Sequence, residues 1–286
     1  MLYNRVAILG SISIDTIEIS GQPPFQKLGG VVIYGGLTFV QHGTEVHIFC
    51  NVSPQDQWIF DFFKSHHLEW EGKIKGATTR FLNRMEGDHR FQKVSAIADP
   101  IEMTSLSQLK NVDLVYLGPL HPEDIHRDVL DLLDLIECKI ALDIQGYTRK
   151  IENGKGLPKV SPVLEEVLKH IYILKADAME FQLVLKAFGM PIKQFQHHFG
   201  IEELVITEGK TGGDWYDFSG RQLHYVPPYL VENGDPTGAG DVFFSSYLWA
   251  RFFQKYPVEK ALDHASLISA KQIEGHFISR GDLVCQ

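Results

Sequence analysis

A turn that runs directly into an apolar helix decides the fold of this chain. The turn reads Asn233-Gly234-Asp235-Pro236-Thr237-Gly238-Ala239-Gly240-Asp241, and an apolar run follows from Val242 to Phe253. Pro236 disfavours helical geometry for the residue before it, and the run contains no glycine or proline, so the spacing predicts a helix that begins near Gly238. A helix start leaves about four N–H groups unpaired and carries roughly half a positive charge. Because Gly238 and Gly240 lack a Cβ, an anionic oxygen can approach the backbone there.

Asp241 adds a proton acceptor to the first turn of the same helix. An aspartate in a first turn also complements the helix dipole, which is worth about 0.3–1 kcal/mol, and glycine-rich turns are common before helices. Each feature taken alone therefore has a structural explanation. Taken together, Asp235 to Asp241 resemble the Asp-x-Thr-Gly-Ala-Gly-Asp signature of the ribokinase-like, or PfkB, family of carbohydrate kinases.

The resemblance implies the fold class α/β, as a ribokinase-like three-layer α/β/α domain with a central, mostly parallel sheet and a small β-sheet lid. Apolar strands that alternate with amphipathic helices along the chain favour the same parallel arrangement. We expect a single kinase domain over residues 1–286, with the lid formed from about residues 12–20 and 76–98. In this family such a lid covers the sugar and often forms a dimer contact, so a homodimer through the lid is a further expectation.

Composition limits the classes of function. The chain has 286 residues, 44% of them apolar, which is enough for a sizeable core in one large domain or two smaller ones. Its net charge of −9, without a long basic run, argues against binding to nucleic acid and favours small-molecule substrates. No segment approaches 18 uninterrupted apolar residues, so we predict no membrane association and a cytoplasmic protein. The three cysteines are far apart and are interpreted as free thiols.

Two segments near the N-terminus resemble the substrate-binding part of the family. The segment Gly-Ser-x-x-x-Asp ends at Asp15, whose counterpart in the family hydrogen-bonds sugar hydroxyls; from the pattern alone, Asp15 is equally well a solvated strand residue. Gly29 and Gly30 match the Gly-Gly-x-x-x-Asn signature and would face the substrate, or they merely pack a helix close to the sheet. Tyr34 stands where the family usually has asparagine, which indicates an altered specificity.

Two further segments supply candidates for substrate contacts. Residues 78–97 alternate without a helical period and turn at 86–88, which predicts a β-hairpin that carries Arg80, Asn83 and Arg90. Exposed hairpin charges are an equally good explanation for Arg80. Gln145 and Arg149 follow a buried strand, in a segment that resembles Asp-x-Gln-Gly-x-x-Arg of some sugar and nucleoside kinases. Ligands of such sheets bind outside the carboxyl ends of the strands.

Glu180 is the predicted metal-linked residue. Asp177-Ala-Met-Glu180 resembles the Asn-x-x-Glu motif, whose glutamate helps to organise magnesium and its waters near the phosphates. The same spacing is that of a capping box, in which Asp177 caps the helix and Glu180 completes the box. We favour the cap for Asp177 and the metal-linked role for Glu180.

The stretch Thr207-Glu-Gly209-Lys-Thr-Gly212 is the predicted nucleotide turn. It contains Gly-Lys-Thr, but a P-loop needs a glycine five positions earlier, where Leu204 stands. The stretch instead resembles the Thr-x-Gly-x-x-Gly turn of the family, which implies that these residues lie near the ATP phosphates or ribose. Neither a zinc-hydrolase nor a serine-hydrolase motif is present, and the first strand lacks the dinucleotide-binding glycine pattern.

The mechanism implied by the resemblance is ATP-dependent phosphorylation of a hydroxyl, with ATP and Mg²⁺ as cofactors. Asp241 would accept the proton, and the N–H groups of Gly238, Ala239 and Gly240 would stabilise the phosphoryl oxygens. On the nucleotide side, Asp235 and Thr237 would hold the turn, or Asp235 would act through magnesium-bound water. The acceptor is a small sugar, polyol or nucleoside. The alternatives are a catalytically weak sugar or nucleoside sensor on the same scaffold and, less favoured, an NAD-dependent oxidoreductase.

Overall fold

The computed structural model describes residues 4–19, 21–86, 89–232 and 234–285. Asn233, the predicted hairpin turn at 87 and 88 and the side chain of Arg90 lie outside this description. Fifteen strands and nine α-helices alternate along the described chain. The strands are β1 Arg5–Leu9, β2 Ser13–Ile19, β3 Phe25–Gly29, β4 Glu45–Phe49, β5 Leu68–Glu71, β6 Thr79–Glu86, β7 His89–Ala96, β8 Leu114–Leu117, β9 Lys139–Asp143, β10 Arg149–Glu152, β11 Lys155–Pro158, β12 Ile173–Asp177, β13 Glu203–Thr207, β14 Gly213–Asp217 and β15 Gln222–Tyr225. The helices are α1 Val31–Gln41, α2 Ile59–Ser65, α3 Arg127–Leu133, α4 Leu164–Leu168, α5 Ala178–Phe188, α6 Ile192–Phe199, α7 Ala239–Leu248, α8 Val258–Glu274 and α9 Arg280–Leu283.

Nine strands form the central sheet, in the order β15-β14-β13-β12-β9-β8-β1-β4-β5. The seven strands from β13 to β5 are parallel, whereas β14 and β15 add an antiparallel edge. The mostly parallel sheet predicted from the alternating pattern is confirmed. Since parallel strands end on the same side, the loops that follow β1, β9, β12 and β13 meet at one edge, where ligands of such sheets bind.

Both faces of this sheet are covered by helices, which gives the predicted three layers. Val6 and Ile8 of β1 point into a cluster that includes α1, α2, α7 and α8. Ala7 and Leu9 of the same strand point into a second cluster, with α3 to α6. Because successive residues of a strand face opposite sides, one short apolar strand supplies both cores.

A second sheet of four strands stands apart from the central one, in the order β3-β2-β6-β7. Its outer pairs are antiparallel, and its central pair, β2 with β6, is parallel. The small sheet and the hairpin formed by β6 and β7 are as predicted. Strand β3 was not predicted, because a single polar–apolar alternation before two glycines gives little signal. The role of this sheet as a lid stays a prediction.

The sequence pattern predicts amphipathic helices over residues 122–138 and 55–66, and both are shorter in the structure. The apolar spacing predicted a helix over residues 122–138, but α3 begins only after His126, whose ring accepts a hydrogen bond from the N–H of Asp128 (3.3 Å). The preceding residues are drawn into a turn because the buried carboxylate of Asp124 accepts hydrogen bonds from the N–H of Leu120 (2.5 Å) and from Ser11. The second helix, predicted over 55–66, begins at Ile59, and Trp58 is exposed rather than part of its buried face.

No helix in the described residues is long and apolar enough to cross a membrane. The three cysteines Cys50, Cys138 and Cys285 are free, as predicted.

Candidate active site

The predicted helix start is confirmed at Gly238. This glycine is the N-cap of α7 and has a left-handed backbone (φ 76°, ψ −2°), which a residue with a side chain rarely adopts. The N–H of Ala239 donates to the carbonyl of Pro236 (3.1 Å), so the turn itself uses one of the donors predicted for an anion. Gly240 and Asp241 follow in the first helical turn, where N–H groups have no partner within the helix.

Asp235 fixes the turn before the helix. Its Oδ1 accepts hydrogen bonds from the N–H (3.0 Å) and the hydroxyl (2.6 Å) of Thr237, and its Oδ2 accepts one from Nζ of Lys27 (2.9 Å). Burial opposes the charge, but these hydrogen bonds and the Lys27 ammonium hold the pKa of Asp235 below its usual range. Asp235 is therefore an anionic anchor that ties the turn to β3.

The carboxyl group of Asp241 has a strongly raised pKa. Burial of the carboxyl group and, second, repulsion by Asp143 raise the pKa of Asp241 to about 7, against the opposing effect of Lys175. The negative charge of Asp241 in turn contributes to raising the pKa of the buried Tyr116 hydroxyl, after burial and Asp143. A carboxylate with a pKa near neutrality can accept a proton from an alcohol and release it again at physiological pH.

Asp143 and Lys175 form an ion pair beneath this carboxylate. They are register partners on adjacent strands β9 and β12, and Nζ of Lys175 donates to Oδ2 of Asp143 at 2.8 Å. Asp143 is fully buried and Lys175 is 7% exposed. Burial disfavours the ammonium, but the carboxylates of Asp143, Glu180 and Asp241 raise the pKa of Lys175 above its usual range. The lysine thus keeps its charge inside the protein.

The first of two adjoining cavities lies on the helix side of the turn and has a volume of about 530 Å³. Gly240 and Lys175 line it, together with the predicted nucleotide-turn residues Thr207, Gly209 and Gly212. Its other wall is apolar and aromatic, formed by Tyr225, Pro227, Tyr229, Leu230, Val231, Phe243, Ala270 and Ile273. A cavity with a polar end at a helix N-terminus and an apolar far end fits a ligand that has a phosphate and a flat base.

Asp177 and Glu180 form the capping box that their spacing suggested. Oδ1 of Asp177 accepts a hydrogen bond from the N–H of Met179 (2.9 Å), and Oε2 of Glu180 accepts one from the N–H of Asp177 (3.2 Å). Glu180 also lines the 530 Å³ cavity. Burial and the neighbouring Asp143 raise the pKa of Glu180, although Lys175 and Arg149 act against them. The cap does not exclude a role for Glu180 at the cavity, and its metal-linked role stays a prediction.

The second cavity, of about 420 Å³, lies between the turn and the small sheet. Asp15, Lys27, Tyr34 and Asn83 line it, and so do several apolar residues: Ile17, Ile19, Phe25, Leu283 and Val284. Gly234 and Pro236 line both cavities, so the turn separates them. The two volumes therefore adjoin at the turn before α7, and Asp241 is not among the described residues that line either of them.

The predicted glycine pair serves close packing beside Asp15. A Cβ on Gly29 would lie 2.7 Å from Oγ of Ser13 and 3.4 Å from Oδ2 of Asp15. A Cβ on Gly30 would lie 2.6 Å from the carbonyl oxygen of Ser11. Gly29 therefore lets β3 lie close to Ser13 and Asp15 of β2, and Gly30 lets the start of α1 lie close to Ser11, while Asp15 itself lines the second cavity.

Several predicted residues lie elsewhere than expected. Asp235 and Thr237, predicted for the nucleotide, line the second cavity with Asp15. Gln145, predicted for the substrate, lines the first. Arg149 lines a third cavity of about 490 Å³ beside the β10–β11 hairpin. Arg80 is not among the described residues that line the second cavity, because its guanidinium donates to both oxygens of Asp56 (2.7 and 2.8 Å).

Sequence reasoning missed three charged residues of the site: Lys27, Asp143 and Lys175. Asp143 is the last residue of β9, and a charge in that position is a usable signal because ligands bind at that edge; Lys175 is the central residue of β12, where a charge inside a buried strand is a usable signal as well. Lys27 gave no such signal, since its partner Asp235 is 208 residues away in sequence.

The sequence matches the pattern of the pfkB family carbohydrate kinases over residues 73–277. The chain belongs to the PfkB family of carbohydrate kinases. The family assignment predicted from Asp235 to Asp241 is confirmed, and it makes the chain a phosphotransferase with an alcohol group as acceptor.

Individual relatives match this chain at low sequence identity. The inositol 3-kinase of Arabidopsis thaliana is 29% identical over 135 residues, which are 46% of this chain and 34% of that enzyme. The chain thus spans about a third of the length of that relative. The cytidine kinase of Thermococcus kodakarensis is 21% identical over 269 residues, covering 90% of this chain and 91% of the relative. A pyrophosphate-dependent kinase of the ribokinase family, solved with a pyrophosphate analogue and myo-inositol, superposes with a TM-score of 0.78 at 22% identity, over 94% of this chain and 95% of that one. The superposition confirms the ribokinase-like fold.

Proposed function

We propose that this member of the PfkB family transfers the terminal phosphoryl group of ATP to a hydroxyl of a small, uncharged sugar, inositol-like polyol or nucleoside, with Asp241 as the general base. The observation that carries the proposal is the position of Asp241. It stands at the N-terminus of α7, next to the turn shared by two cavities, and burial and Asp143 raise its pKa to about 7.

The second cavity supports an uncharged acceptor. Its charged lining consists of Asp15, Asp235 and Lys27, and the ammonium of Lys27 is already paired with Asp235 at 2.9 Å. A sugar phosphate would therefore meet an excess of negative charge. Hydroxyl groups, in contrast, can donate to Asp15 and exchange hydrogen bonds with the amide of Asn83. The relatives named for inositol and cytidine act on compounds of this uncharged, hydroxyl-rich kind by name.

The chemistry proposed for the turn is in-line transfer. The acceptor hydroxyl, held by Asp15, gives its proton to Asp241 while its oxygen attacks the terminal phosphorus of the donor. The N–H groups of Gly238 and Gly240 stabilise the charge on the phosphoryl oxygens, and the helix dipole adds to that effect. The N–H of Ala239 takes no part, since it donates to Pro236.

The shape of the first cavity favours ATP over pyrophosphate as donor. Some ribokinase-family enzymes depend on pyrophosphate, as the structural relative does by name. Pyrophosphate would fill only the polar end of the 530 Å³ volume, next to Gly240 and Lys175. An adenine ring can pack against the apolar wall around Phe243 and Ile273, whereas an inorganic donor would make no contact with it.

Mg²⁺ fits the donor end of this cavity. Magnesium at nucleotide sites is usually held by one or two carboxylates plus phosphates and water, so a protein cage is not needed. Among the described residues no group of three or more ligating side chains is assembled for a metal, whereas Glu180 reaches the cavity wall with a carboxylate. Glu180 would hold the ion through water, and the ion would offset the charge of the phosphates.

The proposal is tested by a screen for ADP release. ATP with Mg²⁺ is offered with sugars, inositols and nucleosides in parallel, and pyrophosphate replaces ATP in a second set, read as phosphate release. We expect turnover with ATP and at least one uncharged polyol or nucleoside, and none with sugar phosphates. Ligand-induced thermal stabilisation without phosphoryl transfer for any acceptor would instead favour the weakly catalytic sensor. Release only from pyrophosphate would overturn the choice of donor.

A further inference from the structure

Lys175 is the strongest unassigned feature of the site. It is the central residue of the buried strand β12, and its Nζ donates a hydrogen bond to Oδ2 of Asp143 on the adjacent strand β9 at 2.8 Å. Nζ also lies 3.4 Å from the point that a Cβ on Gly240 would occupy, so the ammonium stands beside the first turn of α7. The residue therefore faces the region where the helix dipole attracts an anion.

A purely structural role does not explain why a buried lysine stands at position 175. Burial of an ion pair is often no better for stability than apolar residues of the same size, because the desolvation of both charges offsets their attraction. An ammonium has three N–H donors, and the hydrogen bond to Asp143 uses one of them. The same ammonium lines the 530 Å³ cavity together with Gly240, which places a positive charge at its polar end.

We propose that Lys175 binds the terminal phosphoryl group of the donor and stays on it through the transfer, as a catalytic residue of the kinase reaction. The inference rests on the proposed function and adds a residue to it. In the step, the acceptor O–H bond breaks and its proton goes to Asp241. The new O–P bond forms as the bond from phosphorus to the bridging oxygen breaks, and the electron pair stays on the leaving diphosphate, or on the leaving phosphate if the donor is pyrophosphate. Lys175 remains protonated throughout, and Asp143 holds it in place.

The test compares Lys175→Met and Lys175→Arg with the matched control Lys150→Met. Lys150 pairs with Glu152 at 3.0 Å on the exposed β10–β11 hairpin, so its replacement removes a lysine–carboxylate pair outside the site. We expect Lys175→Met to lower kcat by about 10²- to 10³-fold, the range for loss of one group that stabilises transition-state charge. KM for the acceptor should change less than threefold, Lys175→Arg should recover part of kcat, and the control should match the wild type.

Binding gives a second readout that does not need turnover. Calorimetry with ADP, which lacks the terminal phosphoryl group, and with a non-hydrolysable ATP analogue separates that group from the rest of the nucleotide. We expect Lys175→Met to weaken the analogue at least tenfold more than ADP. Equal effects on both ligands would overturn the inference, because a structural lysine would act on the whole site alike. The same comparison with pyrophosphate against phosphate covers the other donor.

A second variant serves as the control for a loss of folding. Removal of Lys175 alone leaves Asp143 buried without its cation, which can unfold the chain, whereas Lys175→Met with Asp143→Asn removes both charges. A folded double variant that keeps kcat within fivefold of the wild type, and binds the analogue as tightly, would contradict the proposal. If the wild type itself transfers no phosphoryl group, the proposed function fails, while the binding comparison still decides the role of Lys175.

Discussion

The ring of Tyr34 lies directly over the α-carbon of Gly238, so closely that a Cβ on this glycine would overlap the ring carbons. Tyr34 is 2% exposed and lines the second cavity, which we propose for the acceptor and call the acceptor cavity, in the position where the family usually has asparagine. The contact fixes the turn at the start of α7 from the acceptor side. Tyr34 therefore packs against the turn that precedes the N-terminus of α7. We ascribe the presence of tyrosine instead of asparagine at this position to that packing rather than to loss of function.

Gly238→Ala tests this contact. The left-handed backbone disfavours alanine by about 1–2 kcal/mol, and the overlap with Tyr34 adds to that penalty. Gly43→Ala is the matched control, since Gly43 has a similar backbone (φ 74°) with nothing within 4 Å of the new Cβ. We expect a larger loss in unfolding free energy for Gly238→Ala, together with at least a tenfold loss in kcat. Equal losses of stability in the two variants, with normal kcat, would show that Tyr34 does not confine the turn.

The start of α7 and the three-layer arrangement could be predicted from the sequence because both depend on local patterns of residues. Pro236, two glycines and a largely apolar run without glycine or proline predict the start of α7, and short apolar strands between amphipathic helices are typical of a parallel sheet. The positions of Asp235, Thr237 and Arg80 depended on partners far away in the chain. The ion pair with Lys27 holds Asp235 at the acceptor cavity, and the ion pair with Asp56 holds Arg80 away from it. Neither ion pair can be recognised from the neighbouring sequence.

Asn83→Ala tests the acceptor cavity. Asn83 is buried in β6, and Nε2 of Gln92 donates to its Oδ1 at 3.0 Å, which orients the amide toward the second cavity. Loss of a buried hydrogen-bonding group usually changes binding by about 1–3 kcal/mol, so we expect KM for the acceptor to rise by about tenfold or more. KM for ATP should stay within threefold. A rise in both KM values would indicate a general disturbance of the small sheet instead.

The pH dependence of kcat/KM follows from the raised pKa of Asp241. A general base works only when it is deprotonated, so activity should rise with pH and level off above an apparent pKa of about 7. The charged groups that act on Asp241 are Asp143, which raises its pKa after burial, and Lys175, which lowers it. In Asp143→Asn the repulsion is gone, and the acid limb should move to lower pH. A limb that stays in place would show that Asp143 does not set this pKa.

Stability gives an independent check on the same carboxyl group. A pKa raised from 3.8 to about 7 in the folded state means that the charge is disfavoured by up to about 4 kcal/mol above neutral pH. The contribution of Asp241 to stability should therefore fall as pH rises from about 4 to about 7, whereas the buried His42, whose pKa is lowered to about 4, acts in the opposite direction over the same range. Asp241→Asn should unfold at a higher temperature than the wild type at pH 8, and this advantage should disappear near pH 3, where both states of the wild type are protonated. An Asn variant that is less stable at pH 8 would argue against a disfavoured charge.

The most direct test of Asp241 as the base is the turnover number of Asp241→Asn with the acceptor found in the screen. We expect a loss of kcat of about 10²-fold or more, the scale for removal of a general base, with the dissociation constants of ADP and the ATP analogue within threefold of the wild type. A folded Asp241→Asn protein that turns over at a near-normal rate would contradict this expectation.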